Sequence, residues 1–262
     1  NLDPVPDMLL KLVFLFLAFC ALASATYLLN DMMDRHADRE HPVKRNRPIA
    51  SGKVGVVTAM VLMVVLVVAG LAVMASVDLV LGAIGLLYVC INVAYSLGMK
   101  QVVLIDLMAV ASGYVIRAAA GAVAIDVAAS PWLYATTGAG ALFIVLGRRY
   151  AEVRLAGDAA AQQRPVLGKY GSSFINQLLM ISATSVWLSF TLYTVEAPNL
   201  PSNNTMLLTL PVVTFGLFRY LYLLNTSQQA EAPEQLIARD LPLLLSIFCW
   251  VVGSGLVLWL WG

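Results

Sequence analysis

The feature that most constrains this chain is its succession of long apolar runs. Each is long enough, or nearly so, to cross about 30 Å of hydrocarbon as a helix. The eight runs cover residues 8–30, 54–76, 79–98, 104–125, 132–148, 173–195, 206–224 and 241–261. They are rich in Leu, Val and Ala, whereas strands of a membrane barrel are segments of about ten residues that alternate in polarity. The sequence therefore predicts an all-α polytopic membrane protein, with about eight spans in a single integral-membrane domain over residues 1–262.

Composition excludes several other classes of protein. Hydrophobic residues make up 60% of the chain and charged residues 12%, whereas a soluble domain has about 45–50% and about 25%. The hydrophobicity also excludes disorder, and a net charge of +1 argues against a nucleic-acid binder. The three cysteines lie singly in apolar runs, so neither a disulfide framework nor a cysteine metal cluster is expected. The first span is too long for a cleavable signal peptide, and it runs directly into a charged segment.

The basic residues predict the orientation of the chain in the membrane. Of the 16 Lys and Arg residues, 13 lie in the first, third, fifth and seventh connections between spans, and none lies in the others. By the positive-inside rule, these odd-numbered connections are cytoplasmic and both ends of the chain face the opposite side. Lys11 can extend to the interface. Arg117 and Arg219 lie within apolar runs, where a charge marks a functional site or a structural ion pair. We expect function for Arg219 and leave both readings open for Arg117.

The first connection begins with three regularly spaced carboxylates. Asp31, Asp34 and Asp38 follow Asn30 at positions i, i+3 and i+7, which lie on one face of a helix. Like charges placed in this way repel unless a cation lies between them, and Mg²⁺ prefers oxygen ligands that it bridges to a substrate phosphate. The alternative is the solvated end of a cytoplasmic helix, where acidic residues would face the unfavourable end of the helix dipole. We predict that these three aspartates bind a metal ion.

A basic segment follows these aspartates within the same connection. Lys44, Arg45 and Arg47 lie between Pro42 and Pro48, and the prolines prevent a regular helix and stiffen the loop. Arginine side chains suit bidentate binding of phosphate. The alternative is that these charges only set the topology. Their proximity to the aspartates instead predicts a Mg²⁺–diphosphate site at the membrane surface, with Asn30 at its edge.

The other candidate substrate-binding residues lie on later spans or at their cytoplasmic ends. Taken singly, each is more often structural than functional, and the acidic residue at 152 can pair with either arginine before it as an ion pair of little consequence. The two arginines with that carboxylate could instead hold a second phosphoryl group. These candidates are Tyr95, Lys100, Asp106, Arg117, Arg148, Arg149 and Glu152.

Two motifs resemble those of a known family. The pattern Asn-Asp-x-x-Asp-x-x-x-Asp at 30–38, its continuation through 50, and the Tyr-x4-Lys pair at 95–100 resemble motifs of the UbiA superfamily of intramembrane prenyltransferases, and the resemblance covers nearly the whole chain. It implies a UbiA-like transmembrane helix bundle with a cytoplasmic-side active cavity. Members usually have nine spans, and we expect this chain to lack the first helix of the family.

A second departure from the family pattern concerns the donor. Where many members carry a second aspartate motif, residues 147–152 read Gly-Arg-Arg-Tyr-Ala-Glu, which looks like the branch that uses phosphoribosyl pyrophosphate. The resemblance implies Mg²⁺-dependent transfer of 5-phosphoribose to a polyprenyl (decaprenyl) phosphate with release of diphosphate. Asp31, Asp34 and Asp38 would be the catalytic and metal-binding residues. It also implies a multi-pass protein of the plasma (inner) membrane that serves cell-wall arabinogalactan biogenesis, with its active site facing the cytoplasm.

Two alternatives remain open. One is a UbiA-type enzyme that moves a prenyl chain from a prenyl diphosphate to an aromatic or glycerol-phosphate acceptor, against which the missing second aspartate motif argues. The other is a transporter of phosphate compounds, which should show internal repeats with helices broken at the midplane. No such repeat is visible, and the charges gather at one surface. The sequence leaves open the polyprenyl length and whether the chain forms a homo-oligomer.

Overall fold

The computed structural model describes residues 4–40, 44–156, 169–198, 200–226 and 233–261. The chain divides into two compact units, Asn1–Ala128 and Ala129–Gly262. The described helices of the first unit are α1 (Pro4–Met33), α2 (Arg35–Glu40), α3 (Val56–Val77), α4 (Leu79–Leu97) and α5 (Ile105–Ala124). Those of the second are α6 (Pro131–Ala156), α7 (Ser172–Glu196), α8 (Leu210–Thr226), α9 (Pro233–Arg239) and α10 (Leu241–Trp261). Arg164 and Glu231, basic and acidic residues of the predicted cytoplasmic connections, lie outside the described residues.

The prediction of an all-helical, multi-pass membrane protein is confirmed. Seven helical segments in the described residues are long and apolar enough to cross a membrane. The remaining predicted span, α6, is a helix of 26 residues, but its last turns carry Arg148, Arg149 and Glu152 and lower its hydropathy. The helix continues past the predicted apolar span to Ala156. These three residues therefore lie on the helix, as their i, i+3 and i, i+4 spacing allows. The single domain over 1–262 stays a prediction.

The core of the first unit is formed by one face of α1. Leu15, Ala18, Phe19 and Leu22 recur at helical spacing on that face, and they pack with Met74 of α3 and with buried side chains of α4 and α5. The α1–α3 contact is close at residue 70, where a Cβ on the glycine would lie 2.8 Å from a side-chain carbon of Leu22. Small residues in membrane helices allow such close approach of two backbones.

The opposite face of α3 is apolar and uncovered. Val57, Val61, Val64 and Val68 are all exposed, although α3 is the most hydropathic of the candidate spans. In a membrane protein, an exposed apolar helix face contacts lipid, which is as apolar as the side chains themselves. The hydropathy of α3 therefore reflects its surroundings rather than its share of the core.

Polar side chains join the helices of the second unit. The Thr136 hydroxyl of α6 donates to the Ser189 hydroxyl of α7 at 3.1 Å, and the Trp187 indole of α7 donates to Thr214 of α8 at 2.9 Å. The rings of Phe143 and Tyr220 pack with centroids 5.1 Å apart. Interhelical hydrogen bonds of this kind stabilise membrane helices where burial of apolar surface supplies little driving force.

Candidate active site

The three aspartates of the first connection follow an almost continuous helical path. Asp34 is the single residue between α1 and α2. Its amide donates to the Asn30 carbonyl at 2.9 Å, and the Asp38 amide donates to the Asp34 carbonyl at 2.8 Å. The helical hydrogen-bond spacing therefore continues through the junction, as the i, i+3, i+7 pattern predicts.

The basic segment folds back onto these aspartates. The Arg39 Nε–H of α2 donates to the Ala50 carbonyl at 2.9 Å, and Ile49 and Ala50 are buried. This anchor brings Arg47 to the acidic face. Its Nη1 donates to Asp31 Oδ1 at 2.8 Å and to Asp38 Oδ2 at 2.9 Å. The predicted adjacency of acidic and basic groups is confirmed for Arg47, although as a direct ion pair that the sequence pattern did not indicate.

A second cation reaches the site from the turn between α4 and α5. Lys100 lies in a short 3-10 helix, Met99–Gln101. Its Nζ donates to Asp34 Oδ1 at 2.5 Å and contacts Asn30 Oδ1 at 3.4 Å. Five predicted residues from two distant parts of the sequence therefore meet with Arg47 in the first unit.

The charges of this cluster are not balanced. Three carboxylates meet two cations, and the Asp38 side chain is only 6% exposed, so removal of its partner would leave a nearly buried charge. In the described residues, no three His, Cys, Asp or Glu side chains converge closely enough to hold a metal ion. The aspartates nevertheless offer the ligand atoms that Mg²⁺ prefers, which are oxygens. Asp31 and Asp38 also both accept a hydrogen bond from one nitrogen of the Arg47 cation. We expect these three aspartates to hold Mg²⁺ when it is bound.

Four further predicted residues lie in the first unit with different surroundings. Lys44 and Arg45 belong to a 3-10 turn, Lys44–Asn46, in which Arg45 is exposed. Tyr95 is half-buried in α4. Asp106 is fully buried in the first turn of α5.

Arg117 is held by aromatic rings. Its guanidinium carbon lies 4.7 Å from the ring centroid of Tyr114 and 5.7 Å from that of Tyr88, and its Nη1 contacts the Tyr88 hydroxyl at 3.4 Å. Arginine over an aromatic face gains about 2 kcal/mol or more when desolvated. These contacts stabilise a charge within a membrane span, and Tyr88 was missed by the sequence analysis because it lies on another helix.

At the end of α6, the carboxylate forms an ion pair within its own helix. Arg149 Nη1 donates to Glu152 Oε2 at 2.6 Å, and Arg149 is buried whereas Arg148 is exposed. The Tyr150 hydroxyl donates to Asn225 Oδ1 of α8 at 2.7 Å, which fixes the last turns of α6 within the second unit. The three predicted residues are thus on one helix end, with Glu152 engaged by Arg149.

Arg219, for which function was expected, forms a complete structural pair. Its Nε and Nη2 donate to the two oxygens of Asp240 at 3.0 and 2.7 Å. Asp240 also accepts from the Leu243 amide at 2.9 Å and so caps α10. The hydrogen bond from Arg219 lowers the pKa of the Asp240 carboxyl below its usual value. The sequence analysis did not indicate this partner, which lies 21 residues away across the connection to another helix, and a function for Arg219 stays a prediction.

These features are those of a family of membrane transferases. Residues 3–252 match the UbiA prenyltransferase family, and the chain belongs to that family. It is therefore a UbiA-superfamily transferase.

Individual relatives refine the comparison. A decaprenyl-phosphate phosphoribosyltransferase of Mycobacterium tuberculosis is 35% identical over 249 residues, which cover 95% of this chain and 82% of that protein. The nodulation protein NoeC of Azorhizobium caulinodans is 38% identical over 112 residues, or 43% of this chain and 36% of its own. The structure of a UbiA homolog from Archaeoglobus fulgidus bound to DMAPP and Mg²⁺ has a TM-score of 0.72 at 16% identity, covering 95% of this chain and 88% of that one. At this identity the last comparison shows the fold.

Proposed function

We propose that this chain transfers 5-phosphoribose from phosphoribosyl pyrophosphate to a polyprenyl phosphate such as decaprenyl phosphate. The observation that carries the proposal is the charge at the end of α6. The carboxylate there, Glu152, is neutralised by Arg149, and Arg148 and Arg154 add positive charge on the same helix. A second metal-binding carboxylate cluster would need free carboxylates, whereas an additional phosphate on the donor calls for arginines. The name of the mycobacterial relative supports the same donor.

The aspartate cluster would bind the diphosphate half of the donor. Asp31, Asp34 and Asp38 would hold Mg²⁺, the ion to which the structurally similar Archaeoglobus homolog is bound. When bound, the ion would supply positive charge to the departing diphosphate. Lys44, Arg45 and Arg47 follow in the same connection, and we assign them to the diphosphate oxygens.

The reaction needs positioning more than acid–base catalysis. The bond between the ribose C1 and the diphosphate oxygen breaks, the electron pair leaves with the diphosphate, and an oxygen of the lipid phosphate forms the new bond to C1. That oxygen is already anionic at neutral pH, so no side chain has to remove a proton from it. Basic side chains that stabilise the leaving diphosphate and align the two substrates supply the catalysis.

The remaining residues receive supporting roles in this proposal. Arg148 and Arg149 would bind phosphate and sugar oxygens of the donor, with Glu152 orienting Arg149. Lys100 positions Asp34. Tyr95, Asp106 and Arg117 would line the approach of the lipid. With the basic connections on the cytoplasmic side, the reaction would take place at that face of the plasma membrane, where the water-soluble donor is available.

Prenyl transfer is the second candidate function, because DMAPP is the ligand of the structurally similar Archaeoglobus homolog. It would use the same diphosphate site with a different donor. The two functions differ in which substrate carries the diphosphate, so donor competition separates them.

The test is an extraction assay on purified protein in detergent. The protein receives Mg²⁺, polyprenyl phosphate and phosphoribosyl pyrophosphate labelled in the ribose, and label in the organic phase is counted with and without chelator. We expect label in the lipid that is lost on chelation. A parallel reaction replaces the donor with labelled prenyl diphosphate and offers an aromatic acceptor.

The controls decide between the two donors. Asp34→Ala should abolish transfer, whereas Asp7→Asn, which changes an exposed carboxylate at the other end of α1, should retain it. Transfer from prenyl diphosphate alone, in protein shown to be folded, would overturn the proposal in favour of prenyl transfer.

A further inference from the structure

We propose that Arg47 is the resident cation of the aspartate cluster, exchanges with the metal ion, and on its release binds the diphosphate of the donor. The inference rests on the proposed function for the existence of a metal site. It adds that one side chain serves two sites in turn and that metal binding precedes tight binding of diphosphate.

The geometry places the Arg47 cation where a metal would act. A single nitrogen, Nη1, donates to Asp31 Oδ1 at 2.8 Å and to Asp38 Oδ2 at 2.9 Å. These carboxylates are seven residues apart on successive helical segments, and this nitrogen is the group they share. Two cations cannot occupy the position between the same two oxygens, so a metal ion that binds Asp31 Oδ1 and Asp38 Oδ2 must displace Arg47.

The rest of the guanidinium is free to bind an anion. Both described side-chain hydrogen bonds of Arg47 use Nη1, so the donors on Nε and Nη2 have no partner among the described residues. The Arg47 side chain is 38% exposed, which leaves these donors accessible. Arginine presents its donors in a planar fork that suits phosphate oxygens. A guanidinium released from the carboxylates remains beside them, because Arg39 and the buried Ile49 and Ala50 hold its segment against α2.

The second cation of the cluster does not have these properties. Lys100 binds one carboxylate, Asp34, together with the amide oxygen of Asn30, and its side chain is 16% exposed. It bridges no two carboxylates, so a metal between Asp31 and Asp38 would not have to displace it. The exchange is therefore assigned to Arg47 and not to Lys100.

The exchange makes opposite predictions for the two ligands. Without the arginine, a metal ion has no competitor for Asp31 and Asp38, so metal affinity should rise. Diphosphate, measured in the presence of metal, loses a guanidinium partner, so its affinity should fall. A purely structural role for Arg47 predicts lower stability of the protein and no gain in metal affinity.

The experiment measures binding without turnover, in full-length protein in nanodiscs. Mn²⁺ is the metal probe, titrated by electron paramagnetic resonance, and inorganic pyrophosphate is the anion probe, titrated by calorimetry at saturating Mn²⁺. We expect Arg47→Gln to bind Mn²⁺ about tenfold more tightly and pyrophosphate about tenfold more weakly, since a charge-assisted hydrogen bond contributes about one power of ten in affinity. Arg47→Lys should lie between wild type and Arg47→Gln in both titrations.

The matched control is Arg45→Gln, which removes the same charge from the same turn at an exposed position. It should change Mn²⁺ affinity by less than about twofold, because exposed charges at a distance are screened. Equal gains in Mn²⁺ affinity for Arg45→Gln and Arg47→Gln would mean that only net charge matters, and would overturn the exchange.

If Arg47→Gln is unstable, thermal unfolding with and without Mn²⁺ provides a second test of the exchange. Metal-free Arg47→Gln should unfold at a lower temperature than wild type, because Asp31 and Asp38 then lack this cation. Mn²⁺ should raise the midpoint of the variant by more than it raises that of wild type. An equal or smaller rise would overturn the inference.

The exchange and the proposed function can fail separately. Mn²⁺ binding with unaltered affinity in Arg47→Gln would refute the exchange while leaving phosphoribosyl transfer intact. Failure of the transfer assay alone would refute the proposed donor while leaving the exchange intact.

Discussion

The two units of this chain each contain a polar cluster, and the clusters differ in how their charges are balanced. In the first unit, Asp31, Asp34 and Asp38 share two cations, and one of these, Arg47, serves two carboxylates. In the second unit, Arg219 meets the single carboxylate of Asp240 through two hydrogen bonds. In the described ion pairs, the first cluster has three carboxylates for two cations, whereas the second is a matched pair.

We interpret this difference as that between the proposed ligand site and a structural contact. A matched, bidentate pair gains nothing from a further ion and stabilises the packing of the two segments that carry it. An under-neutralised carboxylate cluster has a reason to bind a cation, because like charges at this spacing repel. Changes in the first cluster should therefore affect turnover, and changes in the second should affect stability.

The largest effect is expected at Asp31. Asp31→Ala removes a proposed metal ligand and one of the two acceptors of Arg47. Transfer should fall by about a hundredfold or more, which is typical for loss of one electrostatic contact in an active site. The thermal midpoint should change little, since Asp31 is partly exposed. The measurement is the extraction assay with Asp7→Asn as control, and undiminished turnover in Asp31→Ala would remove the metal site from the first unit.

A smaller effect on turnover is expected at Lys100. Lys100→Gln leaves Asp34 without its cation. Because Lys100 would orient a proposed metal ligand rather than contact the donor, activity should fall by about tenfold. Lys100→Arg should recover part of the loss. The test is the Mg²⁺ concentration for half-maximal transfer, which should shift in Lys100→Gln. A fall in activity at saturating Mg²⁺ with no such shift would contradict a role through Asp34.

Packing around α6 predicts a loss of stability. A Cβ at Gly147 would lie 2.5 Å from the hydroxyl oxygen of the buried Tyr220 and 3.0 Å from its ring, so Gly147→Ala should destabilise the second unit by about 1–3 kcal/mol. Thermal unfolding in detergent measures the effect. Tyr220→Phe in the same chain should relieve part of it by removing the hydroxyl, and a double variant no more stable than Gly147→Ala would show that the clash lies elsewhere.

The smallest effect is a pH dependence at Asp240. Its folded-state pKa is lowered by the hydrogen bond from Arg219, so its contribution to stability is present above the unfolded pKa of about 3.9. The contribution is lost as the pH falls through the lower folded value. Asp240→Asn should therefore unfold a few degrees earlier than wild type at neutral pH, and the difference should shrink below about pH 4.

Asp240→Asn also tests whether the Arg219–Asp240 pair takes part in turnover. Asp240→Asn keeps an oxygen that can accept from the Leu243 amide, so the cap of α10 is retained while the charge is lost. Turnover per folded molecule should be unchanged. A large loss of turnover in Asp240→Asn would return the Arg219 pair to the active site.

Span prediction succeeded where the signal is local. The apolar runs at 54–76 and 79–98 became Val56–Val77 and Leu79–Leu97, because length and hydropathy alone determine whether a segment can cross a membrane. The apolar run at 132–148 lies within the longer helix α6, Pro131–Ala156. Hydropathy did not indicate the added turns, where Arg149 is buried and paired with Glu152 of its own helix.

By itself, the sequence determined the helical membrane class, the spacing of the three aspartates and the concentration of basic residues in alternate connections. Only the tertiary structure decided which cation meets which carboxylate. Arg47 could have pointed to solvent, Lys100 lies 66 residues from Asp34, and the partner of Arg219 is Asp240 of the following connection. The physical reason is that hydropathy and helical periodicity act between near neighbours in sequence, whereas an ion pair depends on the packing that brings two distant segments within hydrogen-bond reach.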